Sequence, residues 1–534
     1  MQTLKHKGYL CLVLHAHLPY IRHPEHDYFL EENWFYEAIT ETYIPLFDLF
    51  SRLTDDGINF RMTLSITPTL IEMFNDRLLM ERYGRHIERL IELSEREVSR
   101  TKRDIHFAPV ARMYRERFQR IRYLFDEVYE GDLVHILRQL QDTGNIEIIS
   151  GAATHAYLPN LSLYSQAVKA QIKVGSMYYR KNFGRLPNGM WLPECGFVPG
   201  FDTYMREEGI RFFFLDTHGI NHGKPLPRYG VYAPVLCPAG ICAFGRDAET
   251  SGQVWSSIGG YPGDYDYRDF YRDIGFDIDK DHIKSFLHPY GTKTYTGLKY
   301  YRITGKTDRK EPYVIQRARD KAAEHAANFV MNREVQVNVL SETHGISPVI
   351  TATYDAELFG HWWFEGTDWL ENLMRKIYLS KVNFRTITPS DYLSQALHPG
   401  YLQICEPSMS SWGDMGYNAV WLNDRNDYLC RHLLKATERM LYLADKFPNA
   451  GGLLRRALNQ AAREILLSQH SDWAFIIRNN TALEYAKRRF EEHIGRFTFL
   501  YQSIISENIA AKRLREIEDK DRIFKDIDYR VYSR

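Results

Sequence analysis

Two carboxylates stand where bond chemistry would need them. Glu194 lies in WLPECGF (191–197), where Trp191 and Pro193 fix a tight strand end, and Asp355 lies in TYDAELFGHWW (353–363). A pair of carboxylates flanking a glycosidic bond is the common machinery of glycoside cleavage and transfer. One acts as nucleophile and stays ionised; the other carries a proton at working pH, so its surroundings must raise its pKa. Rings such as Trp362 and Trp363 close to Asp355 would favour a neutral acid by excluding water. Taken alone, each acid is read more simply as half of a buried salt bridge.

The histidines admit a second chemistry. His15 and His17 are spaced HxH, so on a strand both point to one side. With Asp355 or His155 they could hold a metal, as in barrel-type metal-dependent deacetylases. Against that, the sequence has no second tight ligand pair beside a strand. The same histidines could hydrogen-bond sugar hydroxyls or the nucleophile. Trp412 and Trp421 sit in the polar, Gly-containing stretch PSMSSWGDMGYNAVWLND (407–424), a better setting for stacking on pyranose rings than for core packing. Ser471 and Asp472, beside Trp473, fit a helix cap.

Positioning these groups falls to short apolar runs that lack polar alternation, as buried parallel strands do. They are residues 10–17, 60–67, 146–155, 189–194, 210–218, 348–357 and 384–393. Helix-length segments separate them, for instance 82–103 with Ile87, Leu90, Ile91 and Leu93 on one face. The pattern predicts an α/β fold of about seven strands in βα units, forming a parallel sheet or barrel. Nearly every run ends in polar or aromatic groups, including His15, His17, His155, Glu194, Asp216, His218, Asp355 and Glu357. In a βα barrel such strand ends share one face, where active sites are built. Residues 219–345 are too long for one crossover and predict a lid or insertion. From about residue 400 the pattern is helical, so a catalytic barrel over 1–398 and an all-helical domain over 399–534 are expected.

Bulk properties narrow the class. Lys plus Arg and Asp plus Glu both number 68, so formal charge cancels and binding driven by phosphate neutralisation is disfavoured. No nucleic-acid partner is expected. No apolar stretch approaches membrane-spanning length, and the short N-terminal run, broken by His15 and His17, reads as a first strand rather than a signal peptide. The six cysteines form no CxxC pair. A cytoplasmic protein is the expectation.

Five ordered pieces together resemble glycoside hydrolase family 57: HAHLPY (15–20), SGAATHAYLP (150–159), WLPECGF (191–197), TYDAELFGHWW (353–363) and SSWGDMGYNAVWLN (410–423). The resemblance covers almost the whole chain. It implies an incomplete (β/α)7 barrel followed by a helical domain, and a retaining mechanism that needs no metal or other cofactor. It puts the nucleophile on Glu194 and the general acid/base on Asp355, about 5–5.5 Å apart. His15, His17 and His155, with Trp362, Trp412 and Trp421, fall at substrate-contacting positions. Within the family the resemblance is closest to 1,4-α-glucan branching enzymes and the amylase-like members near them. It therefore implies an α-1,4-glucan partner of amylose or glycogen type; an α-amylase or a 4-α-glucanotransferase would use the same two acids. A mobile loop with a tyrosine tip matches HGINHGKPLPRYGVYAP (218–234), with Tyr229 as the tip and Tyr232 as the alternative.

Overall fold

The computed structural model describes residues 6–256, 259–286, 293–397, 400 and 402–533. Its centre is a sheet of ten strands: β1 (Gly8–Ala16), β2 (Met62–Ile66), β3 (Ile146–Gly151), β4 (Gly189–Trp191), β5 (Phe212–Leu215), β6 (Val235–Leu236), β7 (Cys242–Gly245), β8 (Val349–Asp355), β9 (Phe384–Thr386) and β10 (Gln403–Ile404). The order is β10-β6-β7-β5-β4-β3-β2-β1-β8, and β9 adds to β1. From β7 to β8 every neighbouring pair is parallel. The two ends of that seven-strand run meet at a single parallel bridge, Arg246 with Thr351, where the Asp247 N–H donates to the Thr351 carbonyl at 2.9 Å. The barrel closes there through one contact and not a full ladder.

Six of the seven runs expected from sequence are β1 to β5 and β8. The seventh, 384–393, holds only the three residues of β9. Strand β9 pairs with residues 8–10 of β1, β2 pairs with 13–16, and β8 runs along 9–15. A strand has two edges, so β9 shares the β2 edge and stays outside the ring. The seventh ring strand is β7, inside the stretch expected to be an insertion. Its apolar run is only ICAFG, too short to stand out, yet it ends in Arg246 and Asp247 as the other strands end in polar groups.

All residues of β2, β4, β5 and β7 are buried. Helices cover the outer face, as a sheet apolar on both sides requires. Helix Arg77–Thr101 starts where Asp76 accepts from the Leu79 N–H, and it turns Ile87, Leu90 and Leu93 inward. Helix Ile315–His344 ends at Gly345, whose φ of +65° a side chain would resist. Helices Asp427–Lys446, Gly452–Ser468, Ser471–Asn479, Leu483–Ile505 and Ala511–Lys520 form the C-terminal part. It is tied to the barrel by the Ala156–His470 bridge and by Gln171 Nε2 donating to Gln469 Oε1 at 2.8 Å. The expected boundary at 398/399 lies outside the described residues, as do 257–258 and 287–292 of the expected insertion. Among the described residues no helix is long and apolar enough to cross a membrane.

Candidate active site

Strand register assembles the site. His15 of β1 lies opposite Ser65 of β2 on one side and Asp355 of β8 on the other. Glu194 follows β4 in a tight turn where Glu194 and Cys195 take φ of +62° and +52°. Two consecutive non-glycine residues in the left-handed region are costly and persist only where surroundings impose them. Here the Trp412 N–H donates to the Glu194 carbonyl at 2.9 Å. His155, after β3, is likewise left-handed at φ +55°, pinned by the Ser471 N–H donating to its carbonyl at 3.0 Å.

Both oxygens of the Glu194 carboxylate accept hydrogen bonds from the C-terminal part. Trp412 Nε1 donates to Oε2 at 2.7 Å and Ser471 Oγ donates to Oε1 at 2.9 Å. Behind Ser471 runs a buried chain: Ser471 Oγ to His155 Nδ1 at 2.9 Å, His155 Nε2 to His15 Nε2 at 2.9 Å, and His15 Nδ1 to Ser65 Oγ at 3.0 Å. Burial pushes both imidazoles well below their usual pKa, so both are neutral. With Ser471 donating forward, one set of tautomers satisfies every link. Ser65 donates to His15 Nδ1, His15 Nε2–H to His155 Nε2, His155 Nδ1–H to Ser471, and Ser471 to Glu194. All four protons point toward Glu194, and their aligned dipoles stabilise its negative charge. Burial raises the Glu194 pKa; the charge on His17 and the Trp412 and Ser471 hydrogen bonds oppose that rise.

Asp355 is in a different environment. Its Oδ1 is buried without a hydrogen-bond partner among the described residues. Burial lifts its pKa to about 8; Glu357 and Glu194 push the same way, and His17 and Arg246 oppose. Glu357 accepts from the His17 N–H at 3.1 Å and from the Tyr43 hydroxyl. For His17, burial favours the neutral ring. The charge and hydrogen bond of Asp472, 3.4 Å from Nε2, together with Asp355 and Glu357, outweigh it and raise the pKa to about 10. The site thus holds a hydrogen-bonded carboxylate, a carboxyl that favours its proton and one imidazolium. Two acids in such different surroundings, Glu194 accepting two hydrogen bonds and Asp355 with an unbonded Oδ1, suit a nucleophile and a general acid.

The structure brings together Glu194, Asp355, His15, His17, His155 and Trp412. It separates three others. Trp421 is 2% exposed, stacked on Tyr157 at 4.2 Å and packed under the turn that carries Trp412; it supports that turn and offers no face to a sugar. The Gly and Asn around it suggested exposure, but Tyr157, from a loop far away in sequence, covers it. Tyr229 packs edge-on against His344, at the end of the helix that leads into β8 and so opposite the strand end bearing Asp355. It is no lid tip over the carboxylates. Trp362 stays 53% exposed on the rim, and Trp363 is buried in the core with Phe359 and Trp369, so neither desolvates Asp355 as a close pair.

Sequence reasoning passed over Ser65, a plain strand residue, and Trp255, which meets Trp412 edge-on at 6.2 Å. It read Ser471 and Asp472 only as a cap, whereas His470 caps that helix by accepting from the Asp472 N–H. A strand-end rule applied to ICAFGRD would have found Arg246, which donates to Asp216 at 3.1 Å and lies over the Trp412 ring.

The ring nitrogens of His15, His17 and His155 lie within 4.8 Å of one another. Their planes are stacked, however, His17 on His155 at 3.9 Å and 18° and His15 on His17 at 5.0 Å and 16°. Imidazole lone pairs lie in the ring plane, so stacked rings cannot aim them at one ion. The geometry fits a hydrogen-bond chain and does not fit a three-histidine metal centre.

Comparison with known proteins shows the family of the chain. Residues 432–532 match a model described as 1,4-alpha-glucan branching enzyme, C-terminal. The 1,4-alpha-glucan branching enzyme TK1436 of Thermococcus kodakarensis is 34% identical, with 98% of this chain and 78% of that protein aligned. Its crystal structure, in complex with glucose and additives, superposes with a TM-score of 0.87, at 32% identity over 99% of this chain and 97% of that one. The crystal structure of the alpha-amylase AmyC from Thermotoga maritima superposes with a TM-score of 0.92, at 44% identity over 99% of both chains. Residues 11–404 match the Glycosyl hydrolase family 57 model, and the chain belongs to that family.

Proposed function

We propose that the chain is a retaining 1,4-α-glucan branching enzyme, with Glu194 as nucleophile and Asp355 as general acid/base. Glu194 attacks the anomeric carbon while Asp355 gives its proton to the departing glycosidic oxygen, leaving a glycosyl ester on Glu194. The 6-hydroxyl of an acceptor glucan then attacks the same carbon, Asp355 takes its proton back, and the ester bond breaks to release an α-1,6 link. His17 and Trp412 contact the glucan in this scheme; His15 and His155 act through the hydrogen-bond chain. Neither a metal nor another cofactor enters any step.

The observation that carries the reading is the enclosure of Glu194, only 8% exposed, with both donors to its carboxylate supplied by the C-terminal part. Transfer to a sugar must beat hydrolysis, which needs water kept from the ester. The segment after residue 399 is accordingly read as a helical domain that completes the cleft. All six cysteines are unpaired, five of them buried, which suits a reducing cytoplasm.

A second reading, α-amylase, is favoured by the 44% identity to AmyC and by the placement of Tyr229 away from the carboxylates. Proton NMR of the protein with amylose separates the two. Growth of α-1,6 anomeric signal with few new reducing ends is the expected result. Reducing ends without α-1,6 signal would make the chain an amylase.

A further inference from the structure

On the rim that leaves Asp355, the exposed indole of Trp362 stacks on Phe270 at 4.6 Å and 25°. Phe270 in turn faces Tyr295 at 6.0 Å, and Tyr295 is 40% exposed. Lys299, itself buried, anchors the group from beneath, its Nζ 4.3 Å from the Phe270 ring centre and 4.9 Å from that of Tyr295. Next to Tyr295 opens a small cavity whose lining includes Glu37 and Glu41. His361 fixes Glu41 through an Nδ1–Oε2 contact of 2.7 Å, while Glu37 makes no hydrogen bond among the described residues. An exposed aromatic shelf with a spare carboxylate beside it is not explained by packing.

We propose that Trp362, Phe270 and Tyr295, with Glu37, form a glucan-binding shelf outside the cleavage point. The proposal rests on the α-glucan reading above. A pyranose ring offers flat C–H faces and a hydroxyl-bearing edge; the aromatic shelf takes the faces and Glu37 accepts from the hydroxyls. The position selects a polymer. Trp362 lies on the loop that follows the C-terminal end of β8, on the barrel face that carries the site, and its N–H donates to the Glu357 carbonyl at 3.2 Å. A chain threaded past Asp355 and continuing along that rim meets the shelf, whereas a short oligosaccharide filling only the cleft does not.

The test is the ratio of KM for long amylose to KM for maltoheptaose, measured on the full chain. Trp362→Ala is expected to raise that ratio about tenfold and Trp362→Phe to restore most of it. Glu37→Gln is expected to raise it less. An unchanged ratio in Trp362→Ala would overturn the shelf, as would equal rises in both KM values, which would put Trp362 in the cleavage site. A shift in sedimentation without a change in the ratio would make the patch a self-association face and also overturn it. Failure of the α-glucan reading is distinguishable, because the wild-type protein would then turn over neither substrate.

Discussion

Ser471 Oγ lies 2.9 Å from Glu194 Oε1 and 2.9 Å from His155 Nδ1, so a hydroxyl at the start of a C-terminal helix joins the barrel's candidate nucleophile to its histidine chain. The carboxylate and its electrostatic support come from different parts of the chain. Docking of the C-terminal helices therefore does more than bury surface, since the hydrogen bonds it brings favour the ionised form of that carboxylate.

That arrangement predicts a strong effect from removing either donor. Trp412→Phe and Ser471→Ala should each lower kcat by about 100- to 1000-fold, the scale seen when one preorganised donor is removed from a reacting charge. Each should also move the acidic limb of the pH–rate profile upward, because one of the interactions that oppose the effect of burial on Glu194 is then lost. A purely structural role for these residues would lower activity without moving the limb.

Glu194→Gln should reduce turnover by about 10⁴-fold or more, the scale of losing a nucleophile. The amide oxygen can still accept from Trp412 or Ser471, so far-UV circular dichroism and amylose binding should persist. Residual activity above that range would remove Glu194 from the nucleophilic role.

Much of this site was legible before the fold. The two acids, the HxH pair and His155 stand at the ends of apolar runs, and parallel strands carry their ends to one face. What was hidden depended on contacts between distant segments. Trp421 reads as a sugar platform from its polar neighbours, but Tyr157 covers it. Ser471 reads as a cap because nothing local reveals that the barrel lies 2.9 Å away. β7 escaped notice because a four-residue buried strand leaves too little pattern to separate it from a loop.

The stacked histidines give a test of the metal alternative. Because the ring planes of His15, His17 and His155 lie within about 22° of one another, the three cannot chelate one ion without leaving their hydrogen-bond partners. EDTA treatment should leave the rate of amylose turnover unchanged. Loss of activity that zinc restores would reinstate the deacetylase-type reading and dismantle the hydrogen-bond chain.

The rim after Asp355 depends on one glycine. Gly360 has φ +110°, and a Cβ there would lie 1.9 Å from the Glu41 carbonyl oxygen, a backbone atom that cannot swing aside. Gly360→Ala should destabilise the protein by about 3 kcal/mol or more, measured as a lower urea midpoint, since it adds backbone strain to a steric clash. A midpoint equal to wild type would mean that the 357–363 turn has a second conformation open to it.

The raised pKa of Asp355 gives a signed pH dependence. Burial holds the carboxyl protonated up to about pH 8, with Glu357 and Glu194 adding to the effect and His17 and Arg246 opposing it. As general acid it must carry its proton, so the rate should fall as pH rises through about 8. Stability should follow the same group. An unfolded aspartate titrates near pH 4, roughly, so between there and about pH 8 the folded chain holds a proton the unfolded chain has lost. Stability contributed by this group is full below the unfolded value, declines as pH rises across the window and levels off above it. Asp355→Asn removes that decline. Its melting temperature relative to wild type should therefore climb from pH 5 to pH 8 and then stay level. An advantage that is flat across the same range would mean that Asp355 is already ionised at pH 5, and the general-acid role would have to pass to Glu357, the other buried acid at this strand end.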